Sequence, residues 1–215
     1  MIRSYQPSDL PCCKEIVEKV WHFSDKFRPE PLADLFRSVY TESSLGESTH
    51  GWVVEEEGVV RGFLFGKAVG FPQIRGRYSG VGGSFRFLWT LFGLKGVGLP
   101  EKWMYLKAVQ VHEVSRRKVE PERLNEVNLF AVDPAAQGKG YGRLLMQAYL
   151  SLCEQSGVGR VTLDTDRECN VGFYESMGFS VKGVFDSPLQ KLYSGTSGES
   201  FVYEKRLKTN SAQTI

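Results

Sequence analysis

The chain has 215 residues, 41% of them hydrophobic and 24% charged, with a formal net charge of +2. That length suits one domain with a substantial core rather than two, and the near-neutral balance excludes the broad basic surface that nucleic-acid binding demands. The four cysteines, Cys12, Cys13, Cys153 and Cys169, form no CxxC pair and no His/Cys ligand spacing, so neither a metal site nor a disulfide framework is expected.

The opening stretch "MIRSYQPSDLPCCKEIVEKV" places proline and charges where a secretory signal needs an apolar core. No later run reaches membrane-spanning length, so a cytoplasmic protein without an integral membrane segment is expected. "IRSYQ" reads as a first strand. Asp9 followed by "LPCCKEIVEKVWHF" reads as a capped helix with proline in its first turn, and "EPLADLFRSVYTES" as a second helix. "GWVVEEEGVVRGFLFGKAV" alternates around an acidic-glycine turn, the pattern of a hairpin.

From about residue 70 to 120 the pattern becomes irregular and rich in glycine, aromatics and arginine, which reads as an insertion with one or two helices. Its segment "GRYSGVGGSFRFLWTLFGLK" sets Phe85, Phe87, Leu88, Trp89, Leu91 and Phe92 among Arg75, Arg77, Arg86 and Lys95. An amphipathic lid packed on the rest of the domain is the first reading. A basic-aromatic face for a membrane or an acyl carrier is the second, and a homodimer interface the third.

Beyond the insertion come a strand "NEVNLFAV", a glycine-rich hinge, a helix from Gly140 to about Ser156 stopped by Gly157, and a strand "RVTLDTD". A short helix "NVGFYESM" and two strands, "GFSVKGVF" and "SFVYEKRL", complete the order. Simple alternation puts Glu126, Asn128, Phe130 and Val132 on one side of their strand.

The hinge "VDPAAQGKGYGRLLM" delivers a strand end into glycines that open an amphipathic helix. Such a helix start offers unpaired N–H groups and partial positive charge to an anion, with phosphate the first candidate. The glycines leave no Cβ to keep oxygen atoms away from the backbone. Neither GxGxxG nor a Walker loop is present.

The spacing instead resembles the Q/R-x-x-G-x-G/A loop of the GNAT superfamily of N-acyltransferases, matched by "QGKGYG" at every specified position. "NVGFYESMGF", residues 170–179, is similar to that family's later N…FY…GF segment and follows in the right order. The close resemblance covers roughly residues 124–186. It implies a mixed α/β domain over 1–215, with a largely antiparallel sheet of six or seven strands flanked by helices and the 70–120 insertion before the central strand.

The resemblance also implies acetyl-CoA as acyl donor and a small-molecule or peptide amine as acceptor. Its pyrophosphate is expected on Gln137, Gly138, Lys139, Gly140, Tyr141 and Gly142, with Phe130, Ala131 and Val132 lining the thioester and Asn170 touching the CoA chain. Tyr174 is the expected acid for the departing thiolate. Glu126, eleven positions before Gln137, is the expected base for an amine that is otherwise protonated at neutral pH. A non-catalytic acyl-CoA-binding or sensing module is the alternative. His22, His50 and His112 fit no catalytic triad or metal spacing, and His112 is the one whose place in the insertion could overhang an acceptor.

Overall fold

The computed structural model describes residues 1–166, 169, 171–194 and 198–208. Its strands are β1 (Ile2–Ser4), β2 (His50–Glu56), β3 (Val59–Lys67), β4 (Glu126–Val132), β5 (Arg160–Asp166), β6 (Ser180–Asp186) and β7 (Glu199–Arg206). Its helices are α1 (Leu10–Trp21), α2 (Phe23–Lys26), α3 (Glu30–Glu47), α4 (Gly80–Gly93), α5 (Leu99–Val119), α6 (Tyr141–Gln155), α7 (Val171–Ser176) and α8 (Pro188–Ser194). The strands form one seven-stranded sheet in the order β1-β2-β3-β4-β5-β7-β6. Every neighbouring pair is antiparallel except β4 with β5. This is the mixed, largely antiparallel architecture expected.

Both faces of the sheet are covered. On one, Cys13, Ile16 and Val17 of α1 and Leu32, Leu35 and Phe36 of α3 pack with Phe63, Phe65, Leu129 and Ala131. On the other, Leu145, Met146, Tyr149 and Cys153 of α6 pack with Leu64, Val161 and Leu163. Each fully buried side chain of this size contributes about 1.5–3 kcal/mol. The helical spacing of the α6 residues is therefore what fixes that helix against the sheet and leaves its N-terminal turn free.

Local chemistry sets most boundaries. Glu57 (φ 53) and Gly58 (φ 77) supply the two positive φ angles of the tight turn between β2 and β3. His22 ends α1 in the left-handed region at φ 53. Asp9 does not cap α1 as its position suggests. A 3-10 turn at Pro7–Asp9 intervenes, and the Asp9 carboxylate instead accepts from Gln6 N (2.8 Å) and from both terminal nitrogens of Arg3 (2.8 and 2.9 Å).

The insertion forms α4 and α5. Leu91 is fully buried, but Val81, Phe85 and Trp89 are 90%, 68% and 75% exposed, so α4 turns only one edge to the core. α5 runs back towards the sheet. α8 has no counterpart in the sequence reading, although Ser187 marks its start: the Ser187 hydroxyl accepts from Gln190 N (2.9 Å), and Pro188 follows at the first helical position.

A β-bulge in β4 positions the site. Phe65 pairs with Leu129 whereas Gly66 pairs with Val127, which leaves Asn128 as the extra residue. The bulge overturns the simple alternation. Val127 packs in the α6 cluster while Leu129 and Ala131 pack in the opposite one, so Glu126 and Phe130 look to different faces. Asn128 donates to Ser48 Oγ beyond the end of α3 (2.8 Å), Glu126 meets Arg116 of α5 (2.6 Å), and Phe130 stacks on Phe173 with centroids 5.5 Å apart. Towards β5, pairing is confined to Glu126–Thr162 and Val127–Leu163, although β4 continues to Val132 and β5 to Asp166. The two strands splay above those pairs.

Candidate active site

The hinge is built by its φ angles. Asp133 Oδ1 accepts from Ala135 N (3.0 Å) and its other oxygen from Lys19 (2.9 Å), which fixes a 3-10 turn at Pro134–Ala136. Gly140 then stands as the N-cap of α6 at φ 79, a region costly to any residue with a Cβ, and no side chain caps the helix. The first N–H groups of α6 are thus left for an outside acceptor. Gly142 is needed for a different reason: a Cβ there would stand 3.1 Å from Phe130 Cζ.

These backbone groups line a cavity of about 620 Å³ that runs into the cleft between β4 and β5. Phe130, Ala131, Val132, Gln137, Gly138, Gly140, Tyr141, Gly142 and Tyr174 all line it, so the hinge and the later motif meet in space. Lys139 does not. Its ammonium is held by Glu56 (2.8 and 3.0 Å), which also accepts from the Tyr141 hydroxyl (2.7 Å), and these bonds keep the Glu56 carboxyl below its ordinary pKa. Asn170 lies outside the described residues.

A second cavity of about 290 Å³ lies on the α3 and α5 side of the sheet. Trp21, Phe130, Asp166, Cys169, Tyr174 and Gln190 line both cavities, so Tyr174 stands at their junction. Burial, with Cys169 and Asp166 nearby, pushes the Tyr174 hydroxyl well above its ordinary pKa. It therefore holds its proton throughout the neutral range.

Glu126 belongs to the second cavity. Its side chain is 2% exposed; Oε1 accepts from Arg116 (2.6 Å) and Arg123 (3.0 Å), and Oε2 accepts from Arg123 (2.8 Å). Arg116, buried completely, also donates from Nε to Asp164 Oδ2 on β5. The other Asp164 oxygen is buried and accepts no hydrogen bond. Burial first, then the charge of Glu126, push the Asp164 carboxyl up to about 6 against the pull of Arg116. His112 Nδ1 meets Ser187 Oγ at 2.8 Å, and burial holds the imidazole below its ordinary pKa.

Several residues here escaped the sequence reading. Arg143, exposed in the first turn of α6, lines the first cavity. The glycines before it were the signal for a basic partner to an anion. Asp164 and Asp166 were legible as a carboxylate row, since "RVTLDTD" alternates Arg160, Thr162, Asp164 and Asp166 along one face of a central strand. Arg116 and Arg123 had no local signal, because their partners come from other elements. Among the described residues no helix is long and apolar enough to cross a membrane, and no cluster of His, Cys, Asp or Glu could hold a metal ion.

A stretch of 59 residues is 42% identical to mycothiol acetyltransferase of Nocardia farcinica, covering 26% of this chain and 20% of that protein. Another of 71 residues is 35% identical to N-alpha-acetyltransferase RimI of Mycobacterium tuberculosis, covering 33% of this chain and 44% of that one. The chain thus matches less than half the length of these relatives. In fold it is similar to a GCN5-related N-acetyltransferase from Kribbella flavida (TM-score 0.53, 17% identity, 96% of this chain and 97% of that one). It is equally similar to aminoglycoside 6'-acetyltransferase type Ii (TM-score 0.53, 14% identity, 96% of each chain). The model of the acetyltransferase (GNAT) family matches residues 15–179, most of the chain, and the chain belongs to that family.

Proposed function

We propose that this protein transfers an acetyl group from acetyl-CoA to a primary amine, both held at once. The observation that carries the reading is the meeting of two cavities at Tyr174, one ending on the anion-receptive turn of α6 and the other walled by carboxylates. Pyrophosphate suits the free N–H groups at Gly140–Gly142, with Arg143 adding charge. The arm of CoA that carries the thioester would then follow the unpaired edge of β4 past Phe130, Ala131 and Val132.

In this reading the ammonium first loses a proton to water, the neutral nitrogen attacks the thioester carbon, the C–S bond breaks and the departing thiolate takes the Tyr174 proton, and the proton that the nitrogen sheds on forming the amide returns to the Tyr174 oxygen. The unpaired backbone edge of β4 faces the carbon whose oxygen becomes negative, where an N–H donor is worth most. Glu126 takes a different task from that expected on spacing. Both of its oxygens already accept from guanidinium groups. It serves here as the counter-charge that fixes Arg116 and Arg123.

Incubating the chain with acetyl-CoA and a broad panel of primary amines, and following free thiol, tests the reading. Thiol release that depends on amine is the expected result. Binding of acetyl-CoA without amine-dependent thiol refutes transfer and leaves an acyl-CoA-binding module.

A further inference from the structure

α4 carries apolar groups on both of its faces. Gly83, Phe87 and Leu91, spaced by four, face the core, where Phe87 lies 6.4 Å from Phe36 of α3 by ring centroids. Val81, Phe85, Trp89 and Phe92 follow the opposite edge at helical spacing and are exposed. Phe85 and Trp89 stack on each other (6.4 Å), and Phe92 meets Trp103 of α5 edge-on (5.7 Å), so the outward rings form one patch across both helices. The buried Lys102 fixes this pair of helices by donating to the carbonyls of Phe92 (3.0 Å) and Leu94 (2.7 Å). Neither cavity described above is lined by any of these outward rings.

The charge around the patch has one sign. From Gly58 to Pro100 the chain holds six lysines and arginines and no aspartate or glutamate. Arg75 and Arg77 precede α4, Arg86 lies beside its outward stripe and Lys95 follows its last turn; all four are exposed, and among the described residues none is in an ion pair. Lys107, one turn beyond Trp103, adds a fifth exposed cation. The carboxylates close by are already engaged: Glu101 accepts from the Tyr105 hydroxyl (3.0 Å), and Glu30 and Asp34 of α3 pair with Arg28 and Arg37. Exposed rings among unpaired cations suit the headgroup region of a membrane, where aromatics sit at the interface and cations meet lipid phosphates. We propose that the outward face of α4 and α5 docks on a bilayer containing anionic phospholipid, with α4 lying in the plane of the interface. At 14 residues α4 is too short to cross the hydrocarbon. A second copy of the chain fits this face poorly, because a two-fold pairing sets the same patch against itself and presses cation on cation. A folded acidic partner has neither cavity here to seat an anchor residue, whereas fluid acyl chains need none.

The full chain is mixed with vesicles of phosphatidylcholine, alone or with about one third phosphatidylserine. Binding is read by co-sedimentation and by quenching of tryptophan fluorescence with lipids brominated along the acyl chain. Vesicles with phosphatidylserine should bind about tenfold or more tightly than neutral ones, and the preference should collapse between about 0.05 and 0.5 M salt as the charges are screened. Trp89→Phe with Trp103→Phe keeps the patch apolar and should remove the quenching. Phe85→Ser with Trp89→Ser should weaken binding about tenfold or more while leaving acetyl-CoA affinity as in the parent. Arg86→Gln with Lys95→Gln should weaken binding to anionic vesicles about fivefold for each cation lost. No sedimentation with anionic vesicles, equal binding to neutral ones, or quenching that survives the paired tryptophan-to-phenylalanine change overturns the proposal. So does binding to polyglutamate that matches the anionic vesicles, which assigns the face to an acidic protein. A dimer in light scattering that Trp89→Ser disperses overturns it too and assigns the face to a second copy. Should the serine variant fail to fold, the charge variant and the tryptophan-to-phenylalanine variant decide.

Discussion

Replacing Arg116 with methionine should be the most damaging single change near the cleft. Arg116 is completely buried and bonds Glu126 on β4 and Asp164 on β5, whereas Glu126 keeps two bonds from Arg123 when Arg116 is lost. Asp164 would be left with no donor on either oxygen. Removing one partner from a buried ion pair costs about 3–5 kcal/mol. For a chain of this size each kcal/mol lowers Tm by about 2–4 °C, so a fall of about 6–20 °C is expected. The deficit should also depend on pH. The Asp164 pKa of about 6 lies above its ordinary 3.8, so its protonation stabilises the fold fully below the lower value and is lost as pH rises through the higher one. Without the guanidinium that lowers it, this pKa climbs further. The Arg116→Met deficit should therefore be largest near pH 8 and shrink towards pH 5, as read by urea unfolding across that range. A deficit under about 1 kcal/mol, or one of constant size at every pH, would refute the assignment of Arg116 as the partner of two buried carboxylates.

Gly140→Val forces a branched side chain into φ 79 and projects it at the free N–H groups of α6, so acetyl-CoA affinity by calorimetry should fall by about tenfold or more while circular dichroism stays native. Tyr174→Phe keeps the ring and removes the proton; single-turnover rates should drop about a hundred- to ten-thousandfold with acetyl-CoA affinity unchanged, and an unchanged rate excludes the acid role. Glu126→Gln should alter the acceptor KM and lower stability without a selective loss of rate at low pH, because its oxygens hold arginines; a rate loss confined to low pH would restore it as the base. Lys139→Ala should leave the urea midpoint and the Tm indistinguishable from the parent's, since that ammonium is an exposed partner of Glu56.

How much of this was legible beforehand depended on whether the controlling interaction was local. The hinge was legible because Gly140 must take a positive φ and α6 carries a clean apolar stripe, both properties of neighbouring residues. The facing of Glu126 was not, because the bulge at Asn128 is set by the pairing of β4 with β3. There Gly66 lies under the Tyr149 ring, with no room for a Cβ, which would stand 2.5 Å from Tyr149 Cε2. Nothing within residues 126–132 announces that contact. The insertion was legible as helical, yet α5 delivers Arg116, His112 and Glu113 to the site by its path across the sheet, which no short spacing encodes. α8 was readable from Ser187 and Pro188, and its Gln190 reaches both cavities.

The single parallel junction in the sheet gives the molecule a mechanical character. β1 to β4 form one antiparallel leaf and β5, β7 and β6 another, and only two register pairs stitch them together. Arg116 sits just beneath the parting strands with one hand on each leaf, acting as a rivet. The α6 cluster spans both leaves, packing Leu64 and Val127 of the first with Val161, Leu163 and Tyr203 of the second, so the parting is a seam in the backbone ladder and not in the core.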